Sequence, residues 1–405
     1  MTTVTTALVI GGGIAGPATA LALRKAGIEA TVHEAYAEPA DGVGGILTIA
    51  SNGMAVLDLL GIGDAVRAIG EPMPGMAMAD NRGRTIVTLK NVSGLQPGQA
   101  VWRSEIYRAL QDAMTAQGIR VEYNKRLTGY TETADGVTAH FADGTTATAD
   151  ILIGADGIRS TVRGLLDPAA PDAEYVGILG FGGFADGVDV PGEPDTMYFV
   201  MGRRAFLGYW GESGQQIKWF SNLPSPKPYS FAEAREVPKA EWLRQLREAY
   251  AGDIPGEALL ANIDADQLFV LGALEILPKV PTWHRGRVVL VGDAVHAPSP
   301  SSGQGASLSL ESAVQLARCL RDLPDAESAF AAYERLRRPR VEKIAEAAAR
   351  TNRSKAPGAV AKLVMRVAMP MMIKLMNLEK RMAEELGYRI DWDEAVVSDV
   401  VPALH

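Results

Sequence analysis

The stretch ALVIGGGIAGPATALALRKAGIEATVHE, residues 7–34, decides how this chain folds. Its apolar run at 7–10 predicts a strand, 14–25 an amphipathic helix that Gly27 stops, and 30–33 a second strand. Together these make one βαβ unit, with glycines where a dinucleotide-binding unit needs them. Gly11 permits the tight turn, Gly13 lets backbone approach a pyrophosphate, and Gly16 lets the helix pack close to the strand. Glu34 ends the second strand, where a carboxylate can accept hydrogen bonds from the adenosine ribose hydroxyls. A lone G-x-G-x-x-G carries little weight. The strand, helix, strand and terminal acid around this one carry much more.

A second stretch, GDAVHAPSPSSGQGA at 292–306, lies far along the chain. A ligand gripped at two such distant places must itself be long, and FAD is the natural candidate. The apolar run 288–291 reads as a buried strand, so the Asp293 carboxylate emerges at its C-terminal edge, where it can accept from sugar hydroxyls. Pro298, Pro300, Gly303 and Gly305 stiffen the chain and keep side chains off a flat ring. A helix expected over 306–320 then aims its N-terminal amides at the ligand.

Composition narrows the class. The chain has 405 residues, 47% hydrophobic and 22% charged, which fits a globular protein of two or more domains. A formal net charge of −8 without a basic stripe argues against nucleic acid. The single cysteine, Cys319, sits in an apolar helical run and reads as a small buried hydrophobe. It rules out a disulfide framework. The N-terminal segment lacks a basic n-region, and the apolar region 360–378 is interrupted by Lys362, Arg366, Pro370 and Lys374, so neither a signal peptide nor a membrane span is expected. These features predict a soluble cytoplasmic protein. No His, Asp and Glu group has metal-ligand spacing, and no metal is expected.

Along the chain, 42–63 reads as a loop, a short strand and a helix ended by Gly61. Over 101–117 Ser104 follows Arg103 as the N-cap candidate, Ile106, Leu110 and Met114 recur at helical spacing, and Gly118 stops the helix. Residues 120–153 alternate in short runs, with Asp135-Gly136 and Asp143-Gly144 as hairpin turns. From 174 to 277 the character becomes strand-like and aromatic, with Tyr198, Phe206, Tyr209, Trp210, Trp219 and Phe220. This predicts an inserted antiparallel sheet with one face free for a ligand, although any one of these rings could instead fill the sheet core. The expected fold class is α/β, a Rossmann-like FAD-binding domain with an inserted antiparallel β-sheet substrate domain and C-terminal helices. The FAD-binding domain takes 1–72, 99–173 and 283–330, the substrate domain 73–98 and 174–282, and the helical segment 331–405.

Three motifs thus stand in order: G-x-G-x-x-G at 11–16, GADGIRSTVR at 154–163 and GDAVHAP at 292–298. Their order and spacing, with the inserted β region, resemble the single-component, class A flavin-dependent aromatic hydroxylases of the p-hydroxybenzoate hydroxylase fold. The SPSSGQGAS segment and the lack of a thioredoxin-like C-terminal domain look most like the compact tetracycline-inactivating and polyketide-tailoring members. The resemblance implies FAD as cofactor, with NADPH or NADH and molecular oxygen as co-substrates. It implies a hydroxyl passed from a flavin hydroperoxide to a small aromatic or polyketide-like substrate.

By the same resemblance, Gly11, Gly13, Ile14, Ala15 and Gly16 cradle FAD, Glu34 holds its adenosine ribose with Ala35 a further cofactor contact, and Arg103 reaches the pyrophosphate or ribityl chain. Asp156 and Arg159 serve FAD and the docking of NAD(P)H, and Asp293 holds the ribityl chain. Backbone of Gly303, Gly305 and Ala306 faces the pyrimidine end of the ring, Gly44 and Gly45 lie beside it, and Pro298 and Pro300 wall the reacting edge. Phe206, Tyr209, Trp210 and Trp219 are the candidate substrate pocket. No side chain is nominated as catalytic, and His296 reads as a structural imidazole bonded to backbone.

The sequence departs from the compact members in two places. EPADGV at 38–43 lacks an arginine that meets NADPH, and Thr48 stands where some carry Asp. The alternatives are a reductase or oxidase of the same fold, or a nonenzymatic protein that sequesters a ligand. The halogenase signature W-x-W-x-I-P is absent. The methionines 365, 369, 371, 372 and 376 read as helical core, and the oligomeric state is not legible.

Overall fold

The computed structural model describes residues 4–38, 45–73, 75–89, 92–354 and 378–397. Gly44 and the five C-terminal methionines lie outside the described residues. The opening unit forms as its glycines dictate, with strand Thr6–Ile10, helix Ala15–Lys25 and strand Glu29–His33. A six-stranded sheet follows the spatial order His284–Arg285, Val288–Leu290, Ile151–Gly154, Thr6–Ile10, Glu29–His33, Arg120–Glu122. All neighbours run parallel except the first pair. Its central strands are apolar along their length because both faces are covered.

This sheet brings the three motifs together, and the approach leaves no room for a methyl group. A Cβ on Gly16 would land on the carbonyl oxygen of Gly11, and one on Gly11 would land on that of Ala155. At Gly154 it would meet Val162 at 2.7 Å, and at Gly292 the Cβ of Ala15 at 2.7 Å. Arg163 ties the second motif to the third by donating to the carbonyls of Ala294 (3.0 Å) and Ile158 (2.8 Å).

Helix Gly305–Asp322 is buried over nearly its whole length between helices Ala15–Lys25 and Ala326–Ser354. Inside it, fully buried Glu311 meets Arg337 at 2.7 Å and Arg340 at 2.8 Å and accepts from the Asn52 amide at 2.6 Å. Burial would raise the Glu311 carboxyl, but the two guanidinium groups and the amide hold it below the usual carboxylate range. Helix Arg103–Ala116 buries Ile106, Leu110 and Met114 on one face as their spacing predicts. Its N-cap position is Trp102, with no side-chain cap, and Ser104 lies inside the first turn.

The second sheet has seven strands in the order Phe269–Ile276, Glu174–Asp186, Gln216–Pro224, Phe206–Trp210, Thr196–Met201, Gly75–Asp80, Thr85–Leu89. It corrects the antiparallel expectation at one place, since Thr196–Met201 runs parallel to Gly75–Asp80. More than a hundred residues of chain, including two of the six strands of the other sheet, separate those two strands, and a long crossover permits the parallel pairing. One face packs on helices Phe231–Glu236, Lys239–Tyr250 and Gly256–Ala261, around Trp242, Leu246, Tyr250 and Leu260. The other face turns toward the nucleotide-type sheet. Among the described residues, no helix is long and apolar enough to cross a membrane.

Candidate active site

Between the two sheets runs a cleft of about 1560 Å³. That exceeds the roughly 300–1,000 Å³ of an ordinary small-molecule pocket and leaves room for two occupants. At one end Gly11, Gly13, Ile14 and Ala15 form its wall, followed by Glu34 and Ala35. Gly16 does not reach the cleft. It is pressed beneath the loop against Gly11, so its contribution is packing. The first turn of helix Ala15–Lys25 has no acidic side chain and no side-chain cap, so its amides are left for an anion. The Glu34 carboxylate accepts from the amides of Gly12 (2.6 Å) and Tyr36 (3.0 Å), which fixes it at the mouth of the loop.

Midway stand Arg103, Tyr107 and Asp293. Arg103 and Tyr107 lie one turn apart on helix Arg103–Ala116, so both side chains face the cleft. The sequence reading missed Tyr107, although its i+4 spacing from Arg103 was a usable signal. Burial raises the Tyr107 hydroxyl pKa, with Asp293 and Glu34 adding to the rise and Arg103 opposing it. Burial likewise pushes the Asp293 carboxyl up, against the nearby Arg103 guanidinium. Among the described residues, no group donates a hydrogen bond to the Asp293 carboxylate, and the residue lines the cleft. A confined carboxylate without donors is matched by a ligand rich in hydroxyls.

Pro298, Pro300, Gly303, Gly305 and Ala306 continue the wall. Gly303 has φ +61°, the left-handed backbone that swings the chain into helix Gly305–Asp322. That helix begins without a side-chain cap, and its first residues border the cleft. Across from them, Gly45 accepts from the Arg103 amide at 3.2 Å, and its missing side chain leaves space beside Leu271.

The middle motif serves the frame more than the sequence suggests. The Asp156 carboxylate accepts from the Ser160 hydroxyl (2.5 Å) and the Val162 amide (3.1 Å), anchoring the start of helix Thr161–Leu166 while its residue borders the cleft. Arg159 is at the rim, but its guanidinium donates to Glu275 of the seven-stranded sheet at 2.8 Å and so bridges the two walls. His296 is buried with its Nε2 2.8 Å from the Ser312 hydroxyl, a side-chain partner in place of the expected backbone one. Burial, with Arg337 nearby, pushes this imidazole down to about 3, so it is neutral and structural. Among the described residues, no group of three His, Cys, Asp or Glu is placed to hold a metal.

The other wall is the open face of the seven-stranded sheet. Strand alternation places Phe206 and Trp210 there and corrects the choice of Tyr209. Tyr209 points to the helix-covered side, stacked on Tyr198 at 5.3 Å with its hydroxyl donating to Pro191 at 2.7 Å. Trp219 pairs with Tyr209 in register and belongs to the same core; it borders the cleft but is only 3% exposed. The rings that face the cleft include Phe199 and Phe220, 5.9 and 6.2 Å from Phe206, with Phe220 lying where a side chain on Gly208 would be. Trp102 joins Phe184 and Phe269 nearer the middle.

This geometry matches known proteins. Residues 4–220 and 265–348 fit the family described as FAD binding domain. The chain belongs to that family. The flavoprotein is 33% identical over 344 residues to an FAD-dependent urate hydroxylase of Klebsiella pneumoniae, covering 83% of this chain and 86% of that one. It is 30% identical over 357 residues to 6-hydroxynicotinate 3-monooxygenase of Pseudomonas fluorescens, covering 83% and 88%. A crystal structure of a Klebsiella pneumoniae protein complexed with FAD and uric acid superposes with a TM-score of 0.79 at 28% identity, over 94% of this chain and 96% of that chain. The protein is an FAD-dependent monooxygenase that uses NAD(P)H as co-substrate. The glycine cradle, the unsatisfied Asp293 and the uncapped helix starts all suit that cofactor.

The His296 imidazole yields a pH prediction. Its folded pKa lies below its unfolded one, so its contribution to stability is whole above about pH 6.5 and is lost as pH falls toward 3. Denaturant melts should lose on the order of 1 kcal/mol per pH unit through this window. His296→Gln should flatten that slope, and equal slopes in both proteins would contradict the assignment.

Proposed function

We propose that the flavoprotein hydroxylates a small aromatic molecule held against the seven-stranded sheet. The observation that carries this is the cleft itself, polar and glycine-lined on one wall and lined with rings on the other. In this reading Glu34 holds the adenosine ribose, the amides of helix Ala15–Lys25 hold the pyrophosphate, and Arg103 lies beside it. Asp293 accepts from the ribityl hydroxyls, which removes the mismatch of a confined carboxylate without donors. The amides at the start of helix Gly305–Asp322 face the pyrimidine edge of the ring, where positive partial charge favours the reduced, anionic form. Bound FAD supplies the transfer of electrons from NAD(P)H to oxygen.

The chain's own residues do the rest. Pro298 and Pro300 form a rigid wall at the reacting edge. Phe199, Phe206 and Phe220 hold an aromatic ring parallel to the sheet and exclude water. Arg159, in its pair with Glu275, closes the rim where NAD(P)H has to approach. No side chain has to carry a bond-making step.

Purified protein should be yellow, and phenolic compounds should speed its NAD(P)H oxidation. Under ¹⁸O₂ one labelled atom should enter the product. Stimulated oxidation that forms only hydrogen peroxide, or a reduced product without label, would favour an oxidase or a reductase instead. Replacing Asp293 with Ala should weaken FAD binding by about 1.5–3 kcal/mol, measured by flavin titration of the apoprotein. Wild-type affinity in that variant would remove the role assigned to Asp293.

A further inference from the structure

The sheet wall of the cleft is apolar and rich in methionine and phenylalanine. Met76, Met78, Met197 and Met201 line it with Phe199 and Phe220. Among the described residues, the seven-stranded sheet brings no Lys, Arg, His, Asp or Glu to the cleft. Its one open polar side chain there is Asn222. Strand register places Asn222 opposite Phe206 and Gly180, on the same face as Phe220. Its side chain makes no hydrogen bond among the described residues and is only partly buried.

Among the described residues, the Arg and Lys side chains that border the cleft all come from outside the sheet, and Arg126 stacks over the Tyr36 ring at the nucleotide end. Glu34 and Arg103 stand at the nucleotide side, Lys125 is paired with Asp143 at 2.6 Å, and Arg159 is paired with Glu275. Glu385, from helix Leu378–Leu386, adds a negative charge at the border. A carboxylate placed against the sheet would lose its water and, among the described residues, gain no cation from the sheet, which is unfavourable. A neutral ring would lose nothing comparable. Methionine side chains also adapt their shape to the ring they cover.

We propose that the substrate is an uncharged aromatic whose hydroxyl or carbonyl is anchored by the Asn222 amide. This rests on the hydroxylase reading and narrows it by excluding aromatic acids. The thioethers keep the wall accommodating to ring size, while Asn222 fixes which edge of the ring points toward Pro298 and Pro300.

The test uses oxidised holoenzyme without NAD(P)H, so that binding is read from the flavin absorbance change and not from turnover. At neutral pH 1-naphthol should bind at least about tenfold tighter than 1-hydroxy-2-naphthoate, a difference of about 1.4 kcal/mol. Asn222→Leu should weaken 1-naphthol severalfold at unchanged FAD content. Asn222→Arg should narrow or reverse the preference by giving the carboxylate a partner. Equal or tighter binding of the naphthoate to the wild-type protein would overturn the proposal, as would failure of both compounds to perturb the flavin. If 1-naphthol binds by this rule but no labelled product forms under ¹⁸O₂, the hydroxylase reading fails while the selectivity of the cleft stands.

Discussion

No atom beyond Cα fits at Gly11, Gly16, Gly154 or Gly292, and the molecule is organised around that contact. The four glycines come from three motifs scattered over most of the chain. Each lets one backbone segment touch another: loop on strand, helix on loop, strand on helix, and late turn on first helix. Parallel pairing of Thr6–Ile10 with Ile151–Gly154, and of that strand with Val288–Leu290, supplies the alignment. Two uncapped helix starts, those of Ala15–Lys25 and Gly305–Asp322, consequently open into one cleft. A single elongated cofactor can then satisfy both.

Much of this frame is legible in the sequence because glycine spacing and apolar runs report directly on backbone. The strand at 7–10, the helix that follows and the late helix all form within a residue or two of their expected limits. Side-chain direction is where the reading fails. Aromatic content announces the second sheet, but Tyr209 and Trp210 are consecutive, and a shift of one position decides between core and cleft. Phe199 and Phe220 went unchosen because their exposure depends on register with strands whose pairing a sequence does not state. Arg159 looked free for a cofactor because its partner, Glu275, is 116 positions away.

The two walls divide the work. The cradle is made of backbone amides, glycines and a few charged side chains, whose placement is set by the parallel sheet. The opposite wall is made of side chains that project from a mixed sheet, where substitutions alter shape without disturbing the cradle. The buried Glu311 network ties helix Gly305–Asp322, whose first residues border the cleft, to helix Ala326–Ser354. Cofactor and reaction type therefore follow from the frame, while the proposed substrate selectivity rests on the sheet face.

The most direct test of this account is the FAD dissociation constant of Gly16→Ala beside that of Gly164→Ala. A Cβ on Gly16 would strike the Gly11 carbonyl, whereas one on Gly164 would meet nothing within 4 Å. The account predicts that Gly16→Ala binds FAD at least about tenfold more weakly, with Gly164→Ala close to wild type. Wild-type FAD affinity in Gly16→Ala would contradict it.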